Sequence, residues 1–217
     1  MPAKVTAAGI TAAGLPPTLT VVGSVSAESG APSRCTTIVA KALPPMAPQS
    51  NRNRMPPGRP GRAEGQVINV TGHVLNLAGQ PVRDAKVEVW QANSHGRYTH
   101  PSDDNPAPLD PNFEGSAILT TDSEGRYRFK TIKPAAYPAG PNRMRPAHIH
   151  FQVSGRQDKI VTQMYFEDDP YNSADPFLNS VGGAESQALL VKKLLAPSPD
   201  FEPDSKMVIF DMVLYKG

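Results

Sequence analysis

The sequence predicts an all-β domain, a β-sandwich with long loops, one C-terminal helix and an irregular N-terminal arm. From about Val67 onwards, short runs alternate between apolar and polar residues, which is the period of a half-buried strand. Turns rich in Gly, Pro and Asp separate these runs, as in sandwiches built from short strands. Only residues 184–195 carry apolar residues at the spacing of a helix face, so a single helix is expected.

The composition limits the class of protein. A chain of 217 residues suits one domain preceded by a tail, and 39% hydrophobic residues with 24 prolines argue against a helical bundle. The sequence contains no run of 18 apolar residues, so no membrane span is predicted. The single cysteine, Cys35, rules out a disulfide framework and a cysteine-based zinc site. A net charge of +2 is too small to indicate nucleic-acid binding.

Residues 1–62 differ from the rest of the chain in net charge and in residue composition. They hold seven basic residues and one acid, a net charge of +6, whereas residues 63–217 hold fifteen basic residues and nineteen acids, a net charge of −4. Residues 42–62 are rich in Pro and Arg, so we expect a disordered or extended arm that wraps a neighbouring subunit or stays solvated. Residues 63–217 are expected to form the catalytic domain.

The first 34 residues do not determine the cellular compartment of the protein. An apolar core suited to a secretion signal is interrupted by Pro16 and Pro17, and no Arg-Arg pair precedes it. The prediction is therefore a cytoplasmic protein. Export or organelle targeting through the N-terminal segment is the alternative.

Six strands are predicted within the folded domain. They cover residues 67–74, 85–90, 127–131, 148–153, 161–166 and 208–214. A turn signal at residues 122–125 precedes the third of them. Two long loops, 99–116 and 133–147, interrupt the strands, and loops of that length in a small domain often carry function.

A pair of histidines is the sharpest local feature. His148 and His150 lie two residues apart on a predicted strand, so both side chains point to the same face. Two imidazoles placed in this way can bind one metal ion, although two polar residues on a solvated face would give the same pattern. An iron(II) site of two histidines and one carboxylate would need a nearby acid, for which Asp158 is a candidate.

Two tyrosines stand out: Tyr98 just before the first long loop and Tyr137 within the second. A tyrosinate is a hard anionic oxygen donor, but its free pKa is about 10, so a strong Lewis acid must ionise it at neutral pH. Two tyrosinates and one hydroxide would cancel the three charges of Fe(III), which matters because a buried net charge is costly. These ligand types favour ferric over ferrous iron.

Several motifs occur together in the order found in one family. With them, the chain resembles the intradiol ring-cleavage dioxygenases over residues 65–217, and most of all the iron-binding β chains of protocatechuate 3,4-dioxygenases. The motifs are Gly79-Gln80-Pro81-Val82, Val87-Glu88-Val89-Trp90-Gln91-Ala92-Asn93, Gly96-Arg97-Tyr98, Pro108-Leu109-Asp110-Pro111-Asn112-Phe113, Thr131-Ile132-Lys133-Pro134, Tyr137-Pro138, Arg145-Pro146-Ala147-His148-Ile149-His150-Phe151 and Thr162-Gln163-Met164-Tyr165-Phe166. The resemblance does not extend to residues 1–60.

The resemblance implies a transthyretin-like (prealbumin-like) sandwich and a non-haem Fe(III) centre. The implied metal ligands are Tyr98, Tyr137, His148 and His150. Tyr137 is implied to leave the metal and take a substrate proton, and Arg145 is implied to stabilise negative charge during the reaction. A structural salt bridge is the alternative role for Arg145.

The implied activity is cleavage of a catechol-type ring by O2 between the two hydroxylated carbons, giving a cis,cis-muconate. The expected substrate is protocatechuate, with 3-carboxy-cis,cis-muconate as the product. Catechol or hydroxyquinol 1,2-dioxygenase activity is the alternative, and a non-catalytic transthyretin-like binding module is the alternative from another class. The expected assembly is a homo-oligomer or a hetero-oligomer with an alpha-type chain.

Other residues are predicted to have supporting or structural roles. Gln163 and Tyr165 share one face of a strand and are candidates for orienting a metal ligand. Trp90 is expected in the core, and Arg143 is a candidate for contacting a substrate carboxylate. Three further histidines are expected at the surface or in loops: His73, His95 and His100.

Overall fold

The computed structural model describes residues 61–217, and these residues form two β-sheets with a shared core. The predicted arm therefore lies, except for its last two residues, outside the described residues. The strands of the described region are β1 (Val67–Asn76), β2 (Lys86–Gln91), β3 (Ser116–Thr120), β4 (Arg126–Ile132), β5 (Tyr137–Pro138), β6 (Met144–Arg145), β7 (His148–Ser154), β8 (Lys159–Phe166), β9 (Val191–Lys192), β10 (Lys206–Ile209) and β11 (Met212–Leu214). The helices are α1 (Pro176–Ser180) and α2 (Gly183–Leu190).

The first sheet is built around β1, the longest strand. Along one side β1 pairs antiparallel with β4, and along the other it pairs in parallel with β10 and then with β11. The second sheet has five strands in the order β3-β2-β7-β8-β9, with β7 in the centre. All of its pairs are antiparallel except the last, between β8 and β9. A separate two-stranded hairpin consists of β5 and β6.

The two sheets meet at an aromatic cluster around Phe151 of β7. Its ring lies 6.0 Å from Phe129 and 6.2 Å from Tyr127, both on β4, measured between centroids. The Phe210 ring, between β10 and β11, is 5.0 Å away. All four side chains are buried, so the inner faces of the sheets share one hydrophobic core. The predicted all-β sandwich is confirmed.

The predicted helix at residues 184–195 was too long. Helix α2 ends at Leu190, and Val191 adopts an extended backbone with φ −89° and ψ 120°. Val191 and Lys192 then pair with Tyr165 and Phe166 of β8. Pairing with an existing sheet edge outweighs the continuing apolar period, because each paired residue satisfies backbone groups in the sheet.

Further elements differ from the prediction, including β5 and β6, which lie inside the predicted loop 133–147. No element was predicted for β3, whose outward-facing Ile118 obscures the alternation of the buried Ala117 and Leu119. The short helix α1 was also missed. The predicted strand 208–214 is divided into β10 and β11, between which the backbone N–H of Phe210 donates to the carbonyl of Thr71. None of the helices within residues 61–217 has both the length and the apolar character needed to span a bilayer.

Candidate metal centre

The candidate site lies on the outer face of the five-stranded sheet, opposite the core. Along β7, Ile149 and Phe151 point inward and are fully buried. His148 and His150 therefore share the outer face, and their Nε2 atoms are 3.0 Å apart. The alternation of a strand thus brings the two predicted imidazoles together at the centre of the sheet.

The tautomer of His148 is fixed by the backbone. Its Nδ1 is 2.7 Å from the carbonyl oxygen of Pro146, which can only accept, so Nδ1 carries the proton. Burial and the positive charge of Arg145 lower the pKa of His148 to about 3, and burial also holds the pKa of His150 well below its ordinary value. Both rings are neutral at pH 7, which is the form that binds metal ions.

Tyr98 reaches the histidines from the loop that follows β2. Its hydroxyl lies 3.2 Å from Nε2 of His150 and 3.5 Å from the hydroxyl of Tyr137. The loop is folded on itself, since the backbone N–H of Tyr98 donates to Asp103 Oδ2 at 2.7 Å. Burial, and then the neighbouring Tyr137, raise the pKa of Tyr98 well above its ordinary value. A strong cation would be required to ionise this phenol.

Tyr137 approaches from the β5–β6 hairpin. Its ring lies 5.6 Å from that of His148 and 5.4 Å from that of Tyr98. The two tyrosine-bearing segments pack tightly because Gly96 has no side chain. With φ at +80°, a Cβ on Gly96 would lie 2.6 Å from the carbonyl oxygen of Ala136. Glycine at this position lets both phenols reach the histidines.

The four donor atoms fit a single transition-metal ion. Such ions bind nitrogen and oxygen ligands at about 2.0–2.2 Å, so ligands at right angles lie roughly 3 Å apart. The measured separations are 3.0 Å between the imidazole nitrogens, 3.2 Å between Tyr98 and His150, and 3.5 Å between the phenol oxygens. Two phenols and two neutral imidazoles form a donor set that suits a hard trivalent cation.

The carboxylate alternative does not fit this arrangement. Asp158 accepts hydrogen bonds from the backbone N–H groups of Lys216 and Gly217 at 2.9 and 3.1 Å, at the opposite end of β7. Within residues 61–217, no three or more His, Cys, Asp or Glu side chains are grouped as a metal site would require. The described residues therefore offer phenols, and not a carboxylate, as the oxygen donors beside His148 and His150.

Comparison with known proteins identifies the family. A sequence model described as a dioxygenase matches residues 44–216. The chain is also 48% identical over 155 residues to a protocatechuate 3,4-dioxygenase beta chain from Burkholderia cepacia, covering 70% of this chain and 65% of the relative. The chain belongs to the intradiol dioxygenase family.

Other members of the intradiol family are more distant. A hydroxyquinol 1,2-dioxygenase from a Rhizobium species is 34% identical over 52% of this chain and 41% of the relative. The solved structure of a mercury-inhibited catechol 1,2-dioxygenase from Acinetobacter sp. ADP1 superposes with a TM-score of 0.56 at 27% identity, covering 75% of this chain and 55% of that one. This intradiol dioxygenase chain thus spans 65% and 41% of the lengths of the two curated relatives.

A further solved structure shares the fold of the intradiol dioxygenase chain. The hydroxyquinol 1,2-dioxygenase of Pseudomonas putida DLL-E4 superposes with a TM-score of 0.59 at 23% identity, covering 85% of this chain and 69% of that one. At this level of identity the likeness concerns the architecture alone.

Arg145 lies beside the four candidate donor residues and is held by ion pairing. Its side chain is 7% exposed, and Nε donates to Asp175 Oδ2 at 2.8 Å. It pairs with Tyr137 in the β5–β6 hairpin, so both residues belong to the same short ribbon. The salt bridge given as its alternative role is therefore present. The guanidinium charge also lowers the pKa values of His148 and His150.

Gln163 and Tyr165 accept hydrogen bonds from the arginine, and the ring of Tyr165 also lies 5.8 Å from that of His148 between centroids. They lie opposite His150 and His148 in the pairing of β7 with β8. Arg145 Nη2 donates to Gln163 Oε1 at 2.6 Å and to the Tyr165 hydroxyl at 3.3 Å. Their hydrogen bonds go to Arg145, to Asp175 and to each other, so the role of orienting a metal ligand stays a prediction.

Trp90 packs against the candidate metal centre. It is buried, as expected, but it lies on the outer face of β2, directly opposite His150. Its ring stacks on the imidazole with a centroid separation of 4.8 Å and an interplanar angle of 6°. The cross-strand register, which pairs the two residues, was the signal that sequence reasoning did not use.

The remaining histidines lie elsewhere. The Nδ1 atom of His73 is 3.1 Å from Asp211, and Nε2 of His95 is 2.7 Å from Glu64. His100 contacts the hydroxyl of Ser102 at 2.6 Å within its own loop. His73 and His95 are exposed and His100 is half-buried, which agrees with their predicted surface and loop positions.

Proposed function

We propose that the chain is an Fe(III)-dependent intradiol dioxygenase that cleaves a catechol-type ring with O2 between its hydroxylated carbons. Protocatechuate is the proposed substrate and 3-carboxy-cis,cis-muconate the product. The observation that carries the proposal is the grouping of two phenol oxygens and two imidazole nitrogens, with neighbouring donor atoms 3.0–3.5 Å apart, on one sheet face.

Tyr98, Tyr137, His148 and His150 would hold the iron. Bound ferric iron would supply the Lewis acidity that ionises both catechol hydroxyls and the electron acceptance that allows the ring to react with O2. His148 offers Nε2 because its Nδ1 proton is engaged by the Pro146 carbonyl. Trp90 keeps the His150 ring in one plane by stacking on it.

Proton transfer and charge stabilisation fall to the hairpin residues. A catechol must lose two protons to bind through both oxygens, and Tyr137 Oη is the base that we assign to one of them. Tyr137 is only half-buried, so substrate can approach from its side. Arg145 supplies a fixed positive charge near the site, where it would favour the build-up of negative charge on the substrate.

The choice of protocatechuate is supported by the 48% identity to a chain of that specificity. The 34–35% identities to hydroxyquinol and catechol dioxygenases support those ring types as the second candidate. Arg143 lies exposed at the tip of the β5–β6 hairpin, with Nε donating to the carbonyl of Ala139 at 3.1 Å. A substrate carboxylate could recruit it from there. An assembly with an alpha-type chain is part of the same proposal.

The colour of the purified protein tests the metal assignment. Protein loaded with ferric iron should show a visible tyrosinate-to-iron charge-transfer band, with one iron per chain. Tyr98→Phe should shift or bleach this band and lower ring cleavage by more than the roughly 100-fold that loss of an outer hydrogen-bond partner costs. Tyr215→Phe is the matched control, because Tyr215 is 71% exposed.

Two outcomes would contradict the assignment. Colourless protein that binds no iron would favour a non-catalytic module, and an unchanged band in Tyr98→Phe would remove Tyr98 from the ligand set. Oxygen uptake with protocatechuate, catechol and hydroxyquinol, measured side by side, then assigns the ring type.

A further inference from the structure

Asp175 is a fully buried carboxylate that lies next to the candidate site. It follows a 3₁₀ turn (Asn172–Ala174) and precedes α1. A buried carboxylate is costly unless its oxygens are hydrogen-bonded, because burial removes its hydration. Both oxygens of Asp175 are engaged, and the partners come from three separate segments of the chain. Those partners are Arg145, Tyr165, Phe177 and Leu178.

The two oxygens make different sets of contacts. Oδ1 accepts from the backbone N–H groups of Phe177 and Leu178 at 3.1 and 2.9 Å, which is the bonding of a helix N-cap, and also from the Tyr165 hydroxyl at 3.2 Å and Arg145 Nη2 at 3.3 Å. Oδ2 accepts from Arg145 Nε at 2.8 Å. A residue that only capped α1 would need the first oxygen alone. The second oxygen is therefore available to fix the guanidinium.

The guanidinium of Arg145 is held on several sides. Asp175 engages Nε and Nη2, and Gln163 engages Nη2. The ring of Phe177 lies against the guanidinium, 4.4 Å from its centre. Among residues 61–217 no acceptor engages Nη1, so one donor of the fork is left for another partner.

The ionisation of the pair agrees with this geometry. Burial opposes the charge of Asp175, but hydrogen bonds from Arg145 and the Leu178 N–H outweigh it and hold its pKa below the ordinary value. Burial likewise opposes the charge of Arg145, and the hydrogen bond to Asp175 reverses the effect, so its pKa is raised. Both groups stay charged at neutral pH.

We propose that Asp175 is a positioning residue that holds the Arg145 guanidinium in the orientation the metal site requires. The inference rests on the proposed function and adds to it a residue that lies outside the motifs carrying the family resemblance. Asp175 acts through Arg145 and need not touch substrate. Its connection to α1 and Phe177 makes the helix part of the support for the arginine.

The first test compares two substitutions of Asp175. Asp175→Asn keeps an oxygen for the cap but can turn an NH2 group towards Arg145. Asp175→Ser retains the cap with a shorter side chain that does not span to Arg145. Both should lower kcat for ring cleavage by about 10–100-fold, with KM changed much less. Iron content and the visible band should stay as in the parent.

Asp168→Asn is the matched control. Asp168 is an exposed acid that pairs with Lys133, and its removal should leave kcat unchanged. If kcat of both Asp175 variants stays within about twofold of the parent, the proposal is wrong. If the loss appears only as lost iron, Asp175 supports the metal ligands instead, and the proposal is also wrong.

A double-mutant cycle tests whether Asp175 acts through the arginine. In an Arg145→Gln background, Asp175→Ser should lower kcat less than about twofold further, because the group that it positions is already absent. A full additional loss would overturn the proposal. The same cycle on thermal unfolding of iron-free protein gives a readout that does not depend on activity.

In that thermal cycle, Asp175→Ser should lower the Tm of the parent by about 10 °C, as breaking a buried ion pair would. It should lower the Tm of Arg145→Gln by much less. Equal decreases in both backgrounds would show that Asp175 stabilises the fold without coupling to Arg145 and would overturn the proposal. If the parent neither binds iron nor cleaves any catechol, the proposed function fails, and the thermal cycle alone decides whether Asp175 holds Arg145.

Discussion

The two faces of β7 carry different kinds of chemistry although their residues alternate along one strand. The inward residues Ile149 and Phe151 are fully buried in an aromatic and aliphatic core. On the outward side, the ring nitrogens of His148 and His150 point towards each other and towards two phenol oxygens. Burial of the inner face stabilises the fold by excluding water. The outer face instead groups neutral ligand atoms that only a bound cation would engage together.

Strand β2 repeats this division one strand away. Val89 lies in the core, while its neighbour Trp90 stacks on His150 on the outer face. Stability and function are therefore separated by a single residue step. A register slip of one residue would exchange the two faces, so the hydrophobic inner face also fixes the placement of the donors.

Substitutions at neighbouring positions of β7 give the strongest test of the difference between its two faces. Phe151→Ala should lower the free energy of unfolding of iron-free protein by about 3–5 kcal/mol, because it leaves a cavity among three aromatic rings. His150→Ala should lower it by only about 1 kcal/mol, chiefly through the lost stacking on Trp90. Urea unfolding of both iron-free variants measures the difference.

His150→Ala should still remove iron binding, which Phe151→Ala should retain at temperatures where it is folded. Similar losses of unfolding free energy in the two variants would refute the separation of the faces.

A second prediction concerns the packing of the two phenol-bearing segments. Gly96→Ala places a methyl group 2.6 Å from the Ala136 carbonyl oxygen at a φ of +80°, so it should cost about 3 kcal/mol. Gly79→Ala is the matched control, since its φ is +75° and nothing lies within 4 Å of the added carbon. Only the backbone strain, about 1 kcal/mol, should appear there.

Gly96→Ala should also weaken iron binding, because Tyr98 and Tyr137 would have to separate, while Gly79→Ala should not. Chemical unfolding and iron titration measure the two effects. Equal costs for both substitutions would mean that the segments do not pack as closely as the structure has them.

The smallest effect that we expect concerns Trp90, on the outer face of β2. Trp90→Phe reduces the stacked area on His150 and should cost about 1 kcal/mol, a roughly fivefold weaker affinity for iron. Ile118→Thr is the control, since Ile118 is 56% exposed on the same face of the sheet and lies away from the donors. A competition titration with a chelator reports the affinities. An affinity equal to the parent's in Trp90→Phe would argue that the stacking does not orient His150.

The sequence predicts the parts of the site that depend on a local period. The shared face of His148 and His150 follows from a two-residue repeat, which holds wherever a strand forms. That Tyr98 and Tyr137 join them depends on how two loops fold over the sheet. Spacing along the chain carries no such information, and only the resemblance to the intradiol family supplied it.

What the sequence missed depends on contacts between distant segments. Asp175 lies thirty residues from Arg145, and its Asp-Pro step indicates a helix start without indicating what else the carboxylate binds. Val191 continues the apolar period of α2, but it joins the edge of β8 together with Lys192. In each case a partner remote in sequence provides the deciding interaction, so the local pattern is insufficient.

The hairpin of β5 and β6 has a self-contained backbone ladder of two residue pairs, Tyr137 with Arg145 and Pro138 with Met144. Its tip, residues 140–143, is open to solvent. Because neither large sheet shares hydrogen-bond register with this ribbon, evolution can lengthen, shorten or rewrite the tip without displacing a strand of the sandwich. The proposed ring preference can therefore diversify at an insertion point of a few residues while the sheet face that carries the candidate donors stays constant.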